Sequence, residues 1–269
     1  MTKKTPIALT IAGSDSGGGA GIQADLKAIS AQAVFGASAL TAITAQNTVA
    51  VTAVHEIPAD IVAAQIDAVL SDLDVGAIKL GMLFSPAIIG AVAQSLKGFT
   101  GALVVDPVMI AKSGDALLQD HAIEALKSEI LPLATLLTPN LPEAARLLDQ
   151  DVATNDAEKV AQAQALQAMG PKAVLLKDGH GTDASCTDIL LTADGSVSRF
   201  EAKRIDTKNT HGTGCTYSAT IAANLAKGMA LPDAVRAAHG YLHRAIAQAD
   251  TLAIGQGHGP VHHFHAMWP

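Results

Sequence analysis

A histidine, two glycines and a cysteine stand together where a helical pattern begins, in the stretch KNTHGTGCTYSAT at residues 208–220. A helix start exposes unpaired backbone N–H groups and the positive end of the helix dipole, and glycine lets that backbone approach a ligand closely. The turn at 211–215 is therefore a candidate anion site, for a phosphate or for the charge on a transferring phosphoryl group. In this position we expect the pKa of the Cys215 thiol to be lowered, so that the thiol acts as a base or a polar contact. The alternative is a glycine-rich turn with a buried, inert cysteine.

The stretch GSDSGGGAG at residues 13–21 is a second glycine-rich segment, and it follows a short apolar run. Alone it suggests a phosphate-binding turn or a dinucleotide-binding turn. Its spacing is not GxGxxG directly after a tight turn, and the sequence has no GxxxxGK followed by Ser or Thr. A plain flexible turn is therefore a better interpretation than a dinucleotide site.

Asn140 and Glu143 stand three residues apart around Pro142 in TPNLPEAARLL. Proline fits the first turn of a helix, so both side chains can share one side of that turn. An amide and a carboxylate there suit a hydrated Mg²⁺ with its phosphates. The alternative, which the pattern alone favours, is an asparagine cap with a glutamate in the first helical turn.

Asp106 and Lys177 each end a buried strand-like run, GALVV and KAVLL. The carboxylate is a candidate metal ligand or acid–base group, and the lysine could reach a nucleotide phosphate as a point charge. Either could instead be half of a structural ion pair. Four histidines near the end, in GQGHGPVHHFHAMW, fit no helix-based pair of metal ligands, so a surface or packing segment is favoured there: His258, His262, His263 and His265.

The elements that must position these residues alternate between short apolar runs and longer helical patterns. Strands are predicted at 6–13, 37–45, 77–83, 101–108, 134–140 and 172–179, with a β-hairpin at 188–205 that turns at Asp194–Gly195. Helices are predicted at 21–32, 59–73, 86–96, 115–130, 141–148, 156–169, 214–227 and 232–249. Alternation of this kind predicts an α/β fold with a mainly parallel sheet covered by helices on both faces. We expect one domain over 1–269, with the chemistry at the carboxyl ends of the strands.

Composition narrows the class of protein. The chain has 269 residues, a net charge of −7 and only 3% aromatic residues, which argues against nucleic acid or an anionic membrane as the main partner. Two cysteines suggest a reducing compartment. The short N-terminal apolar run ends at Gly13, too early for a signal peptide, and no run reaches the length of a membrane span. We expect a cytoplasmic protein.

Taken together, the motifs resemble one family closely. AGSDSGGGAGIQADLKAIS, TAITAQNT, KLGML, DPVMIAKSGDALL, TPNLPEA and NTHGTGCT occur in this order from residue 12 to 216, and GHGPV follows near the end. This sequence resembles the hydroxymethylpyrimidine/phosphomethylpyrimidine kinases of thiamine biosynthesis, in the ribokinase-like superfamily. The resemblance implies a three-layer αβα sandwich, ATP and Mg²⁺ as cofactors, a small pyrimidine as substrate and a homodimer. It implies phosphorylation of 4-amino-5-hydroxymethyl-2-methylpyrimidine and then of its monophosphate.

The resemblance also implies roles for individual residues. Gln46 would read the polar edge of the pyrimidine, because an amide both donates and accepts, and it would share the substrate pocket with Gly13, Asp25, Met82 and Val108. Gly212, Thr213 and Gly214 would form the anion hole, and Cys215 would take the proton of the substrate hydroxyl, where many superfamily members have an aspartate. Asn140 and Glu143 match the superfamily's N-x-x-E element for Mg²⁺, held through water, and phosphate. The nucleotide side would be completed by Asp106, Lys177 and Lys112.

Three positions depart from the family pattern. Gly17 stands where a second serine is usual, and Asp178 stands where glycine is common, so fine contacts can differ there. Tyr217 replaces a smaller aliphatic residue and could alter the pocket. Two other functions stay open: a pyridoxal or pyridoxine kinase of the same superfamily, which Gln46 and Met82 disfavour, and a non-catalytic pyrimidine-binding regulator.

Overall fold

The computed structural model describes residues 4–109, 120–179 and 184–268. In those residues one sheet contains eight strands: β1 (Ile7–Ala12), β2 (Phe35–Leu40), β5 (Ala77–Leu80), β6 (Ala102–Val105), β7 (Leu136–Leu137), β8 (Val174–Leu176), β9 (Ser185–Leu191) and β10 (Val197–Lys203). The strand order is β10-β9-β8-β7-β6-β5-β1-β2. Neighbouring strands from β2 along the sheet to β8 pair in parallel. Strand β9 pairs in antiparallel fashion with both of its neighbours, β8 and β10.

Helices cover both faces of this sheet. They are α1 (Gly21–Ala31), α2 (Ala59–Asp72), α3 (Pro86–Ser95), α4 (Asp120–Ala125), α5 (Leu141–Leu148), α6 (Asp156–Gln167), α7 (Thr213–Ala226) and α8 (Leu231–Ala247). The strands are buried on both sides because each face meets a helical layer. The predicted three-layer α/β sandwich, with its mainly parallel sheet, is confirmed.

Side chains that alternate along the strands fill two cores. On one face Leu9 and Ile11 of β1 and Ile78 of β5 pack with α2, α3, α5 and α6. On the other face small and apolar residues of the same strands pack with α1, α7 and α8. Since the side-chain period of a strand is two, Thr10 and Lys79 point to this second face, beneath the start of α7.

The prediction of a single strand at 37–45 is wrong, because the structure has two strands here, separated at Thr41. Residues before Thr41 belong to β2, whereas β3 (Ala42–Gln46) leaves the sheet and pairs with β4 (Val51–Glu56) as a separate antiparallel hairpin. Thr41 fixes the division: its N–H donates to the Ala12 carbonyl and its hydroxyl to the Met82 carbonyl, at 3.1 and 2.6 Å. The hairpin therefore starts at the edge of the site.

Other predicted elements agree with the structure. The hairpin of β9 and β10 turns at Asp194–Gly195, where Gly195 has a φ of 81°. The helix predicted at 115–130 lies partly outside the described residues, and its described part is α4 followed by one π-helical turn, Leu126–Ile130. That the whole chain forms one domain stays a prediction. Within the described residues we find no helix both long and apolar enough to cross a membrane.

Candidate active site

One cavity of about 620 Å³ lies at the carboxyl ends of the parallel strands. It is lined by residues that follow the parallel strands, from the glycine-rich loop and from the segments at 82, 106–109, 140–143 and 177–179. The start of α7 lies at its wall, with Thr213, Gly214 and Cys215. The arrangement follows from the parallel sheet, because the carboxyl ends of its strands meet at one edge.

The start of α7 has the geometry of an anion site. Gly212 precedes the helix in the left-handed region, with a φ of 77°, which glycine adopts at little cost. A Cβ at Gly212 would overlap the carbonyl oxygen of Gly19, so this turn also packs directly on the glycine-rich loop. Gly212 has no side chain that could cap α7. The Thr213 N–H donates to the Thr210 carbonyl at 3.4 Å, and in the described chain the N–H groups of Gly214 and Cys215 are left for a ligand.

Asp15 organises the glycine-rich loop. Its carboxylate accepts N–H hydrogen bonds from Gly17, Gly19 and Ala20 at 2.8, 3.1 and 2.8 Å. It also lies 2.8 Å from Nε2 of His211. Burial alone would raise the pKa of Asp15, but the hydrogen bonds from His211 and the backbone hold that pKa below its usual value. The loop amides thus bind Asp15, which agrees with a structural turn. Sequence reasoning missed the role of Asp15, whose signal was an acidic residue shortly before consecutive glycines, and it included His211 in the anion turn without identifying Asp15 as its partner.

Four of the five predicted substrate residues line the cavity: Gly13, Gln46, Met82 and Val108. Gln46 reaches it from β3, and its Oε1 accepts a hydrogen bond from the Thr44 hydroxyl at 3.2 Å. A Cβ at Gly13 would overlap the Met82 methyl, so this glycine makes room for Met82.

The structure corrects the prediction for Asp25. Asp25 does not line the cavity: its side chain is fully buried, and Nζ of Lys79 binds its two carboxylate oxygens at 2.9 and 2.8 Å. The Thr10 hydroxyl donates to the same carboxylate at 2.6 Å. Lys79 lines the cavity instead. Its signal in the sequence was a lysine inside an otherwise apolar strand.

Cys215 lies half-buried between charged groups, and here the sequence prediction is wrong. Burial, together with the carboxylates of Asp25 and Asp106, raises the pKa of the thiol to about 11. Lys79 and the N–H of Gly21 oppose this rise without overcoming it. The expectation of a lowered pKa considered only the helix start, whereas burial and two carboxylates outweigh it. The thiol is protonated at neutral pH in the ligand-free protein.

Asp106 and Lys177 form an ion pair beside the anion turn. Nζ of Lys177 lies 2.8 Å from Oδ1 of Asp106, and the Ser218 hydroxyl donates to Oδ2 at 3.2 Å. A Cβ at Gly214 would lie 3.5 Å from both partners. Although burial would raise the pKa of Asp106, Lys177 and Lys79 lower it. The pair is therefore both a structural ion pair and part of the cavity wall.

Asn140 and Glu143 form a capping box at the start of α5. The Asn140 side chain accepts from the Glu143 N–H, and the Glu143 carboxylate accepts from the Asn140 N–H, both at 2.8 Å. Burial raises the pKa of Glu143 to about 7, Lys177 opposes this and Asp106 adds to it. The helix-cap alternative is thus confirmed. Both residues also line the cavity, so a metal role for them stays a prediction.

The donor set in this region fits a hydrated ion better than a fully protein-bound one. The described residues contain no cluster of three or more His, Cys, Asp or Glu side chains able to hold a metal. The carboxylate of Asp106 is already paired with Lys177. Glu143 remains as a carboxylate that can bind an ion through water, as Mg²⁺ prefers.

The remaining predicted positions divide three ways. Lys112 lies outside the described residues. The Asp178 carboxylate is bonded to Lys159 of α6 at 2.8 Å and does not line the cavity, whereas Tyr217 is 2% exposed and does line it. The C-terminal histidines lie in a surface and packing segment, as predicted: His258 is exposed, whereas His263 is buried against Thr216 of α7 at 2.9 Å, and burial lowers its pKa to about 3.

Comparisons with known proteins, by family model and by sequence identity, indicate the same family. Residues 15–262 match the family model described as phosphomethylpyrimidine kinase. A hydroxymethylpyrimidine/phosphomethylpyrimidine kinase from Rhizobium meliloti is 58% identical over 264 residues, which cover 98% of this chain and 99% of the relative.

Two solved structures share the fold. The ADP complex of Bacillus subtilis pyridoxal kinase superposes with a TM-score of 0.90 at 35% identity, over 99% of this chain and 100% of the other. A phosphomethylpyrimidine kinase from Clostridium difficile superposes with a TM-score of 0.79 at 41% identity, over 90% of this chain and 100% of the other. With a site of this geometry and similarity over nearly its whole length, the chain belongs to the phosphomethylpyrimidine kinase family.

Proposed function

We propose that this protein transfers the γ-phosphoryl group of ATP to 4-amino-5-hydroxymethyl-2-methylpyrimidine, and then a second phosphoryl group to the monophosphate, in thiamine biosynthesis. One observation carries the proposal. A single cavity is lined both by Gln46 and Met82 and by the start of α7, which includes Cys215. A substrate held by Gln46 would therefore present its hydroxymethyl group to the anion turn.

The pyrimidine would lie between Met82 and the hairpin that carries Gln46. The Gln46 backbone is fixed on both sides by Ser16: the Ser16 hydroxyl donates to its carbonyl at 2.7 Å and accepts from its N–H at 2.8 Å. A fixed backbone keeps the amide in reach of the polar edge of the ring, where it can accept from an amino group and donate to a ring nitrogen. Gly13 and Val108 would complete this pocket.

The transferred phosphoryl group would lie at the backbone N–H groups of Gly212, Thr213, Gly214 and Cys215. Lys177, held by Asp106, would stabilise the charge that builds on the phosphoryl oxygens. The Cys215 thiol is protonated in the ligand-free protein, so its S–H proton must first pass to water before it can accept the proton of the substrate hydroxyl. Once ionised, a thiolate with a conjugate-acid pKa of about 11 is a strong proton acceptor. Lys79 and the Gly21 N–H stabilise that thiolate, which supports Cys215 as the group that receives the hydroxyl proton late in the transfer.

When bound, Mg²⁺ would neutralise part of the phosphate charge. Glu143 would hold the hydrated ion through water, with Asn140 fixing the orientation of Glu143 by the capping box. Lys112 would reach phosphate from the adjoining segment. The base and ribose of ATP would occupy the rest of the cavity, which β9, β10 and α8 line.

The decisive experiment is ADP release with MgATP and one acceptor at a time: hydroxymethylpyrimidine, its monophosphate and pyridoxal. Turnover of the first two supports the two-step pyrimidine kinase. Pyridoxal turnover alone would replace it with the second candidate, a pyridoxal kinase, for which the close superposition with the Bacillus subtilis enzyme speaks. Tight pyrimidine binding without any turnover would favour a non-catalytic regulator.

We also propose a homodimer formed through the hairpin of β3 and β4. Ile43 and Val54 expose 48% and 37% of their surface on it, and a second copy would cover such side chains. Sedimentation of the protein and of the Ile43→Lys variant would test this, since a dimer built on this face should dissociate in the variant. A cytoplasmic location agrees with two free cysteines, Cys186 and Cys215, in the described chain.

A further inference from the structure

Tyr217 brings a hydroxyl group without a partner to the wall of the cavity. Its side chain is 2% exposed, and its hydroxyl oxygen is buried with no hydrogen-bond partner among the described residues. A buried tyrosine normally pairs its hydroxyl group, because an unpaired buried donor costs free energy. This residue is also one of the departures from the family pattern. The Asp188 carboxyl group is near enough to raise the pKa of this hydroxyl group, but the two do not form a hydrogen bond of normal geometry, so a ligand in the cavity can supply a better-placed partner.

Asp188 of β9 lies beside this hydroxyl group and also lines the cavity. It is 7% exposed, and its Oδ1 accepts the Asp178 N–H at 2.9 Å. Burial raises the pKa of Asp188, and burial followed by Asp188 raises that of Tyr217 well above its usual value. Tyr217 therefore keeps its proton as a donor, and Asp188 offers an acceptor oxygen.

His239 of α8 fixes the tyrosine ring from the other side. The two ring centroids are 6.2 Å apart, and His239 also packs on Phe200 at 5.9 Å. Burial lowers the pKa of His239, so at neutral pH it is an uncharged packing partner. The donor and the acceptor are thus held in place before any ligand binds.

We propose that Tyr217 and Asp188 select the base of the phosphoryl donor: the Tyr217 hydroxyl donates to a ring nitrogen of adenine, and the Asp188 carboxyl accepts from its exocyclic amino group. This proposal rests on the proposed function, in which the base and ribose of ATP bind where β9, β10 and α8 line the cavity. Guanine fits less well. Its N1–H and 2-amino groups bind a carboxylate through two oxygens, and here Oδ1 is already bonded to Asp178.

The first experiment measures kcat/KM for ATP and for GTP with saturating hydroxymethylpyrimidine. Wild-type protein should prefer ATP by about tenfold or more. Tyr217→Phe removes one hydrogen bond, so the KM for ATP should rise about threefold to tenfold while the pyrimidine KM stays unchanged. Asp188→Asn should reduce the ATP preference, because an amide can donate to the guanine oxygen.

Tyr241→Phe is the matched control. It also removes a buried tyrosine hydroxyl group, one that donates to the His263 carbonyl at 2.6 Å, but Tyr241 does not line the cavity. Its KM for ATP should equal that of the wild type, even if the variant melts at a lower temperature. A wild-type preference for GTP, or an unchanged ATP/GTP ratio in both Tyr217→Phe and Asp188→Asn, would overturn the proposal.

Calorimetric titration with ADP and GDP separates this proposal from the proposed function. If no acceptor is phosphorylated, the proposed function fails, but weaker ADP binding in Tyr217→Phe than in Tyr241→Phe would still support the selection of adenine. If the pyrimidine is phosphorylated and Tyr217→Phe binds ADP as tightly as the wild type, the proposed function stands and the role of Tyr217 is refuted.

Discussion

Two lysine–carboxylate pairs lie near the start of α7, and they differ in what surrounds them. Lys79–Asp25 and Lys177–Asp106 have the same closest nitrogen–oxygen distance, 2.8 Å. The first pair has no exposed side-chain surface and a further hydrogen bond from Thr10. In the second, the lysine side chain is 12% exposed and lies beside Gly214 and Glu143.

The difference in exposure indicates that two ion pairs of the same chemistry have different roles, one structural and one in ligand binding. A fully buried ion pair has only its own hydrogen-bond partners to compensate for lost hydration. The first pair is therefore structural, and it supports the position of Cys215. Lys79 and Lys177 both line the cavity, but of the two only Lys177 has exposed side-chain surface, so the second pair can exchange its partner for a ligand and bind a phosphate. Loss of the first pair should mainly lower the free energy of unfolding, and loss of the second pair should mainly lower kcat.

The largest expected effect is the loss of stability in Lys79→Met. The variant leaves the Asp25 carboxylate buried without its counter-ion, which typically costs about 3–5 kcal/mol of unfolding free energy. Urea unfolding followed by circular dichroism measures this loss. The double variant Lys79→Met/Asp25→Asn removes both charges and should recover much of it. If Lys79→Met loses less than about 1 kcal/mol, the pair does not support the site.

Cys215 lies between the two pairs, and its loss should mainly affect turnover. We expect Cys215→Ala to keep the wild-type melting temperature and to lower kcat about a hundredfold to ten thousandfold, as the removal of a proton acceptor does. Cys215→Ser is the control for size. Wild-type turnover in Cys215→Ala would remove the thiol from the mechanism, and the proton would then leave by another route.

Lys177→Met tests the second pair, with an expected loss of kcat of about a hundredfold because one charge that stabilises the transferring phosphoryl group disappears. Its stability loss should be less than half that of Lys79→Met, since Ser218 and Thr138 still donate to Asp106. Lys177→Arg, which keeps the charge, should recover part of kcat. Equal stability losses in the two lysine variants, with normal turnover in Lys177→Met, would erase the distinction between the pairs.

Much of this comparison was invisible in the sequence. Asp106 and Lys177 were predictable as site residues, because each follows an apolar run and parallel strands end at one edge. The partner of Asp25 was not: Lys79 is 54 positions away in the sequence, and the two meet only because β5 lies next to β1. The high pKa of Cys215 has the same origin, since the two carboxylates that raise it come from α1 and from the end of β6. The division at Thr41 depends on hydrogen bonds to Ala12 and Met82 that no local pattern reports.

The smallest expected effect concerns Glu143, the carboxylate that shares Lys177 with Asp106. Its pKa in the folded protein is about 7, against 4.5 for an ordinary glutamate. Between these values the folded state binds more protons than the unfolded state, so stability falls as pH rises. The contribution is complete below pH 4.5 and is lost as pH rises through 7. Glu143→Gln stays neutral and can still accept from the Asn140 N–H.

The measurement is urea unfolding of wild type and Glu143→Gln at pH 5, 6, 7 and 8. The difference between the two free energies should change by about 2–3 kcal/mol over this range, with the variant gaining relative to the wild type as pH rises. Asp106, Lys177 and Lys79 keep their charges throughout the range, since the pKa of Asp106 is lowered and those of both lysines are raised. Parallel curves would mean that Glu143 is already ionised at pH 5, and Lys177 would then share its charge with two carboxylates even without a ligand.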